Sequence, residues 1–203
     1  MADVIAIIPA RLGSTRFPQK VLFPYKGKPL LYYVWDGVRR AKLIDRVVVA
    51  TDSTEIMRAV EGFGGETVRT KASHRTGSDR AAEVLSKIGG EIIVNVQGDN
   101  FGLKGSALDT VIAAMHADAG IEYATLARRI ESDAELMDHN LVKVVKARSD
   151  GRALWFSRAP IPHLRDGCDG SRTAHYRYLG HIGIYFYRHE ALNRYAGWRR
   201  TEA

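Results

Sequence analysis

An α/β fold with a mainly parallel sheet, covered by helices on both faces, is what this sequence predicts. Three observations predict it. Apolar runs at Val4–Ile8, within Arg46–Asp52 and at Ile92–Val96 are continuous rather than alternating, the pattern of strands buried on both sides. The stretches between them carry apolar residues at three- and four-residue spacing, as amphipathic helices do. The alternation of the two patterns along the chain is that of strand–helix–strand crossovers.

Each element follows from its own residues. The run from Val4 to Ile8 reads as a first buried strand. From Pro29 to Ala41, Leu30, Leu31, Val34, Trp35 and Val38 make one apolar face of a helix, with Pro29 near its first turn. A second strand spans Arg46–Asp52; Ser53 is placed to cap the next helix, which should stop at Gly64-Gly65. Thr67–Thr70 forms a short third strand. Ala81, Val84, Leu85 and Ile88 mark another helix, Ile92–Val96 a buried strand, Leu108–Ala119 a helix and Tyr123–Ala127 a strand. Ser132–His139 is expected as a short helix. Pro160 and Pro162 keep their segment extended, residues 165–173 read as a loop, and Tyr178–Arg188 reads as a late strand. Lys143 is read as structural or peripheral. A single domain over 1–203 is expected, with a nucleotide-binding sheet over about 1–127 and a smaller part over about 128–203.

Composition narrows the function. With 203 residues, 45% apolar and 26% charged, the chain is an ordinary globular one that can bury a core without staples. Its formal charge of +7 admits nucleic acid, an acidic surface or small anionic substrates as partners. No long Lys/Arg run and no nucleic-acid motif with aromatics at stacking spacing occurs, so no nucleic-acid partner is expected. Cys168 stands alone, which excludes an internal disulfide and a zinc site built of several thiolates. The start lacks the features of a secretory signal and no apolar run is long enough to span a membrane, so a cytoplasmic protein without membrane insertion is expected.

Chemistry concentrates in a few strings. Ile7 to Lys20 leaves the first strand at its carboxyl end, where open α/β sheets bind ligands, and offers Arg11, Gly13, Ser14, Thr15, Arg16 and Lys20. Such a set suits a triphosphate: cations and pliant backbone N–H groups approach phosphate oxygens. On charge alone a solvated basic loop fits as well. The string is neither a P-loop nor a dinucleotide fingerprint. His74-Arg75-Thr76-Gly77-Ser78-Asp79-Arg80 precedes a helix and could hold an anion or a base edge, or simply cap the helix. Ile92–Asp99 delivers Gln97, Gly98 and Asp99 to the carboxyl end of a strand. Asp99 can give magnesium one of the few carboxylate oxygens it takes beside substrate phosphates, or can merely terminate the strand. Arg128 and Arg129 are anion contacts or a solvated strand end.

These strings resemble one family. Ile-Pro-Ala-Arg, Ser-Thr-Arg-x-Pro-x-Lys and Gly27-Lys-Pro-Leu30 resemble the opening of the 3-deoxy-manno-octulosonate (Kdo) cytidylyltransferases. So do the 74–80 segment, Val94-Asn-Val-Gln-Gly-Asp99, Asn140-Leu-Val-Lys-Val-Val145, Phe156-Ser-Arg-Ala-Pro-Ile-Pro162 and His181-Ile-Gly-Ile-Tyr185. The resemblance implies a Rossmann-like, glycosyltransferase-A-like three-layer α/β/α sheet with a small sugar-binding and dimerising lobe. It implies transfer of CMP from CTP to Kdo, or a close eight-carbon acidic sugar, with release of pyrophosphate, in lipopolysaccharide biosynthesis. By position, Ala10, Arg11, Gly13, Ser14, Lys20, Thr76, Gly77 and Arg80 become nucleotide-binding. Arg11, Lys20 and Asp99 become catalytic, with Asp99 a ligand of Mg2+. Gln97, Arg158, His181 and Tyr185 become sugar-binding, Arg158 by gripping a carboxylate at two points. A homodimer is implied.

The sequence departs from the pattern in three places. Asn100-Phe101 replaces the family's Glu-Pro after Gly-Asp, and Gly180 replaces an Arg before His181. Beyond Trp198 the pattern continues with an acidic helix, a strand and an Asp-Thr-Pro segment whose Asp completes the metal site, and the chain is expected to lack that part. Two other readings stay open: a cytidylyltransferase for another sugar acid, such as an 8-amino Kdo analogue or a sialic-acid-like substrate, and a noncatalytic homologue that binds nucleotide sugars.

Overall fold

The structure is a computed structural model of the chain, and residues 3–13, 19–165 and 171–198 are described. The expectations for Ser14, Thr15, Arg16, Cys168, Arg199 and Arg200 lie outside the described residues. The chain divides into two compact units, residues 1–124 with 184–203, and residues 125–183.

The first unit begins with β1 (Val4–Pro9), every residue of which up to Ile8 is buried. A 3-10 turn (Lys20–Leu22) and a two-stranded ribbon, β2 (Pro24–Tyr25) with β3 (Lys28–Pro29), lead into α1 (Leu30–Val38). Then come β4 (Arg46–Thr51), α2 (Thr54–Glu61), β5 (Glu66–Arg69), α3 (Gly77–Ile88), β6 (Ile92–Val96) and α4 (Gly105–Ala117). Strands β5, β4, β1 and β6 lie side by side in that order and all run parallel. Ile7 faces Val48 on one neighbour and Asn95 on the other. The later strand β10 (Leu179–Arg188) adds its Ile184–Arg188 half antiparallel to β6, and α7 (His189–Gly197) follows.

Both sheet faces are covered, as continuous apolar strands require. Ile5, Ile7, Val48, Ala50 and Ile93 pack with Ala81, Val84 and Leu85 of α3 and Leu192 of α7. The alternate residues Val4, Ala6 and Ile8 are equally buried and must point to the other face. On α1 and α4, which pack against each other, Leu31, Val34, Val38, Leu108, Ile112 and Met115 are buried.

The second unit holds β7 (Tyr123–Arg129) from Thr125 onward, α5 (Asp133–Met137), β8 (Lys143–Lys146), β9 (Ala153–Ser157) and α6 (Arg172–His175). β8 pairs antiparallel with β9 and with the Leu179–Gly183 part of β10. Ile130, Leu136 and Tyr178 form its buried cluster, joined by Leu141, Leu164 and Tyr176. Lys143 is wholly buried, and its ammonium donates to the carbonyls of Asp138 (2.7 Å), Leu141 (3.0 Å) and Arg158 (2.9 Å).

Three details differ from the sequence reading. Residues 184–203 belong with the first unit, because β10 continues as a partner of β6. The second helix ends at Glu61, where Phe63 and Gly64 already turn back onto the carbonyls of Val60 and Glu61. Within 165–173, Arg172 and Thr173 belong to α6, whose start is tied down by Asp133: its carboxylate accepts from both of their N–H groups.

Candidate active site

β1 and β6 are parallel neighbours, so the loops that leave them emerge at one sheet edge. Close backbone approach there depends on two glycines. A Cβ on Gly98 would lie 3.1 Å from the Pro9 carbonyl oxygen, and one on Gly77 would lie 3.2 Å from Gln97 Nε2 and from Pro9 Cγ. The ends of β1 and β6 and the start of α3 are thereby brought together.

A cavity at this edge is lined by Ala10, Arg11, Thr76, Gly77, Arg80 and Gln97 among others. Five residues expected to bind nucleotide and one expected to bind sugar therefore share one hollow of the first unit. The Ala10 N–H is committed to the Ala50 carbonyl at 2.9 Å. Arg11 is exposed, and among the described residues no carboxylate pairs with it. Gly13 has open space around it.

Thr76 is the N-cap of α3. Its hydroxyl accepts from Asp79 N at 3.1 Å while Asp79 Oδ2 accepts from Thr76 N at 3.1 Å, a complete capping box. Arg80 lies one turn on and is buried. Its Nη2 stands 2.9 Å from Asp52 Oδ1, an ion pair by distance although not aligned as a hydrogen bond, and another of its nitrogens donates to Thr70 Oγ1. Arg80 thus serves first to hold the floor of the cavity, its charge already balanced by Asp52.

His74 and Arg75 also line the cavity, although the sequence reading gave neither a role of its own. His74 Nε2 is hydrogen-bonded to Glu83 of α3, which also accepts from Lys71 N (2.9 Å) and Lys87 Nζ (2.7 Å). Burial raises the Glu83 pKa, but the bonds from Lys87, His74 and Lys71 outweigh it and bring it to about 2. Glu83 is therefore ionised at neutral pH, and Nε2 of His74 must carry a proton to bond it. The signal was a carboxylate nine residues on, less than two helical turns into α3, which no local pattern links to a histidine.

Lys20 and Asp99 form a pair: Nζ lies 3.1 Å from Oδ2, with both side chains substantially exposed. The Lys20 ammonium also stands 5.9 Å from the centre of the Phe101 ring. The turn bearing Asp99 is closed by Asn100 N donating to Gln97 O at 3.0 Å. Among the described residues no group of three or more His, Cys, Asp or Glu side chains could hold a metal ion. Asp99 alone fits a Mg2+ that takes its remaining oxygens from phosphates, because this exposed carboxylate already faces a cationic centre.

The expected sugar-binding residues divide between the units. Gln97 and Tyr185 belong to the first, Arg158 and His181 to the second. Burial pushes the Tyr185 hydroxyl up, and its ring stacks on Tyr187 with 6.4 Å between centroids. Arg158 Nη1 donates to the His139 carbonyl at 2.8 Å, leaving the rest of an exposed guanidinium available to solvent. His181 Nε2 lies 2.8 Å from Thr125 Oγ1 and its ring sits edge-on to Phe156, while burial pushes its pKa below the ordinary histidine value. Arg128 and Arg129 are ion-paired with Glu135 and Glu131, as a solvated strand end would be.

Comparison with known proteins agrees with this geometry. The family model described as "Cytidylyltransferase" matches residues 5–202. The 3-deoxy-manno-octulosonate cytidylyltransferase of Geobacter sulfurreducens is 43% identical over 199 residues, covering 96% of this chain and 79% of that protein. Its counterpart in Syntrophotalea carbinolica is 44% identical over 198 residues, covering 96% and 79%. Among solved structures, a CMP:2-keto-3-deoxy-manno-octonic acid synthetase complexed with CTP superposes with a TM-score of 0.89 at 35% identity, over 99% of this chain and 80% of that one. A sheet whose strand ends gather Arg11, Thr76, Gly77 and Gln97 around one cavity, matched along nearly its whole length by such relatives, places the chain in the cytidylyltransferase family, among the 3-deoxy-manno-octulosonate cytidylyltransferases.

Proposed function

We propose that this chain transfers the cytidylyl group of CTP to 3-deoxy-manno-octulosonate, releasing pyrophosphate. The observation that carries the reading is the cavity at the carboxyl ends of β1 and β6, where Arg11, Arg75, Thr76, Gly77 and Gln97 meet. Two guanidinium groups with no carboxylate partner among the described residues give it the charge a triphosphate needs.

In the proposed reaction the oxygen of the sugar's anomeric hydroxyl attacks the α-phosphorus in line, its proton passing to solvent, while the bond from the α-phosphorus to the bridging oxygen breaks and pyrophosphate leaves. Arg11 and Lys20 hold the phosphates and neutralise charge as it moves onto the leaving pyrophosphate. The Gly13 backbone lies open to a phosphate oxygen. Asp99 holds Mg2+, which when bound supplies positive charge to the phosphate oxygens. Asp99 would hold the metal ion in place of the Lys20 ammonium it now pairs with, which would leave Lys20 to the phosphates. Gln97 and Tyr185 of the first unit orient the sugar hydroxyls.

The chain acts as a homodimer in the cytoplasm. The dimer reading is supported by β9, the outermost strand of its layer, on which Leu154, Trp155 and Phe156 are 53%, 69% and 44% exposed. Such an edge is normally covered. Among the described residues no helix is long and apolar enough to cross a membrane.

A pyrophosphate-release assay with CTP and magnesium tests the sugar. Kdo should support turnover at least tenfold faster than its 8-amino analogue or sialic acid. A faster rate with either of those would move the chain to another sugar acid.

A further inference from the structure

The second unit contains a cavity of about 500 Å3 beside the end of β8 and the segment that enters β10. It shares no lining residue with the cavity at the strand ends of the first unit. Lys146, Arg148, His175 and Arg177 line it, and among the described residues no carboxylate does. Val144, Ala147 and Leu179 supply apolar wall.

Surface cations are usually neutralised by nearby acids or spread over a solvated face. Here the described acids are spoken for. Every described carboxylate of the unit has another partner: Glu131 pairs with Arg129 and Glu135 with Arg128. Asp133 accepts from the N–H groups of Arg172 and Thr173, Asp138 from Asn140 N, and Asp150 from Arg152 N. Lys146, Arg148 and Arg177 are left on one concave wall beside His175, where the mutual repulsion of the three fixed charges is relieved best by a multivalent anion.

The wall is also built rather than loose. The β8–β9 turn is closed by Ala147 N donating to Arg152 O at 2.8 Å, which fixes the backbone carrying Lys146 and Arg148. Tyr176 is held edge-on to Tyr178 with 4.9 Å between ring centroids, stiffening the opposite side. A cavity of this volume is sized for a small ligand, not for the broad face of a duplex. Arginine forks match pairs of phosphate oxygens, and lysine adds a point charge.

We propose that this cavity is a second anion site, which takes a small polyphosphate, either inorganic or carried by a nucleoside. It stands independently of the transfer reaction assigned to the first unit.

Amide NMR of the full chain, without magnesium, tests this with two titrants, pyrophosphate and CTP. Saturable shifts are expected at residues 144–148 and 175–179, separate from those at Ala10 and Arg11. Arg148→Glu and Arg177→Glu, both exposed, should each weaken binding there by about tenfold or more and leave the Ala10 and Arg11 response unchanged. Saturation by pyrophosphate as tightly as by CTP assigns an inorganic ligand, and tighter saturation by CTP assigns a nucleotide. The proposal is overturned if those amides do not saturate with either titrant, or if both variants respond as the parent does. It is also overturned if a single-stranded oligonucleotide binds there more tightly, with a steep loss on adding salt, which would make the wall a nucleic-acid face.

Discussion

Asp99 and Lys20 show how one contact carries different weight in stability and in chemistry. Both side chains are exposed, 54% and 37%, and an ion pair so placed contributes about 0–1 kcal/mol to folding. A contact to a charged phosphate made fully only in the transition state is worth about 1.5–3 kcal/mol, or roughly ten- to a few-hundred-fold in rate. Lys20→Ala and Asp99→Ala should therefore melt within a few degrees of the parent yet lose most turnover with CTP and magnesium. Near-normal pyrophosphate release by Asp99→Ala would remove it from the metal role. Glu83 behaves in the opposite way, since its three hydrogen bonds hold the loop that carries His74. Its folded pKa of about 2 lies below the 4.5 of a free glutamate. The stability it contributes is thus fully present above about pH 4.5 and is lost as pH falls toward 2. Glu83→Gln should flatten the pH dependence of the melting temperature across that window; an unchanged slope would contradict the network. At this scale the sequence showed Arg11, Gln97 and Asp99, because each sits at the end of an apolar run. It did not show that Arg80 is spent on Asp52 or that Glu83 governs His74, because both pairings join residues across elements.

Among the elements, α3 brings its N-cap Thr76, Gly77 and Arg80 to the cavity, and a helix start was legible there. Thr76 followed three residues later by Asp79 is a capping pattern, and the reciprocal bonds are both present. Thr76→Ala should cost about 1 kcal/mol, with Thr76→Ser recovering most of it, as measured by denaturant unfolding. The first turn of α4 makes a sharper demand. A Cβ at Gly105 would lie 2.5 Å from Ala41 N and 2.6 Å from the Arg40 carbonyl carbon, backbone atoms that cannot step aside cheaply. Gly105→Ala should destabilise by roughly 1–3 kcal/mol, and an unaltered unfolding midpoint would contradict that close approach. The parallel strands were legible because burial on both faces leaves continuous apolar runs. The β2–β3 ribbon and α7 were not, since a two-residue strand has no period and α7 shows a mixed surface with only Ala191 and Leu192 buried.

For the whole molecule, the class of fold and the family were readable because the defining strings lie at strand ends, fixed in order along the chain. The division into units was less so: residues 184–203 return to the first unit through the antiparallel pairing of β10 with β6, a long-range contact that spacing does not encode. The exposed edge of β9 bears on assembly. Trp155→Glu together with Leu154→Ser should shift the sedimentation coefficient from dimer to monomer, and an unchanged value would place the interface elsewhere. The central claim, cytidylyl transfer to an acidic eight-carbon sugar, is tested most directly by phosphorus NMR of the chain mixed with CTP, Kdo and magnesium. The account predicts a new phosphodiester resonance of a CMP–sugar growing in step with pyrophosphate, and only when both substrates are present. Triphosphate resonances that shift on binding but persist undiminished would contradict it and leave a binding protein in place of a transferase.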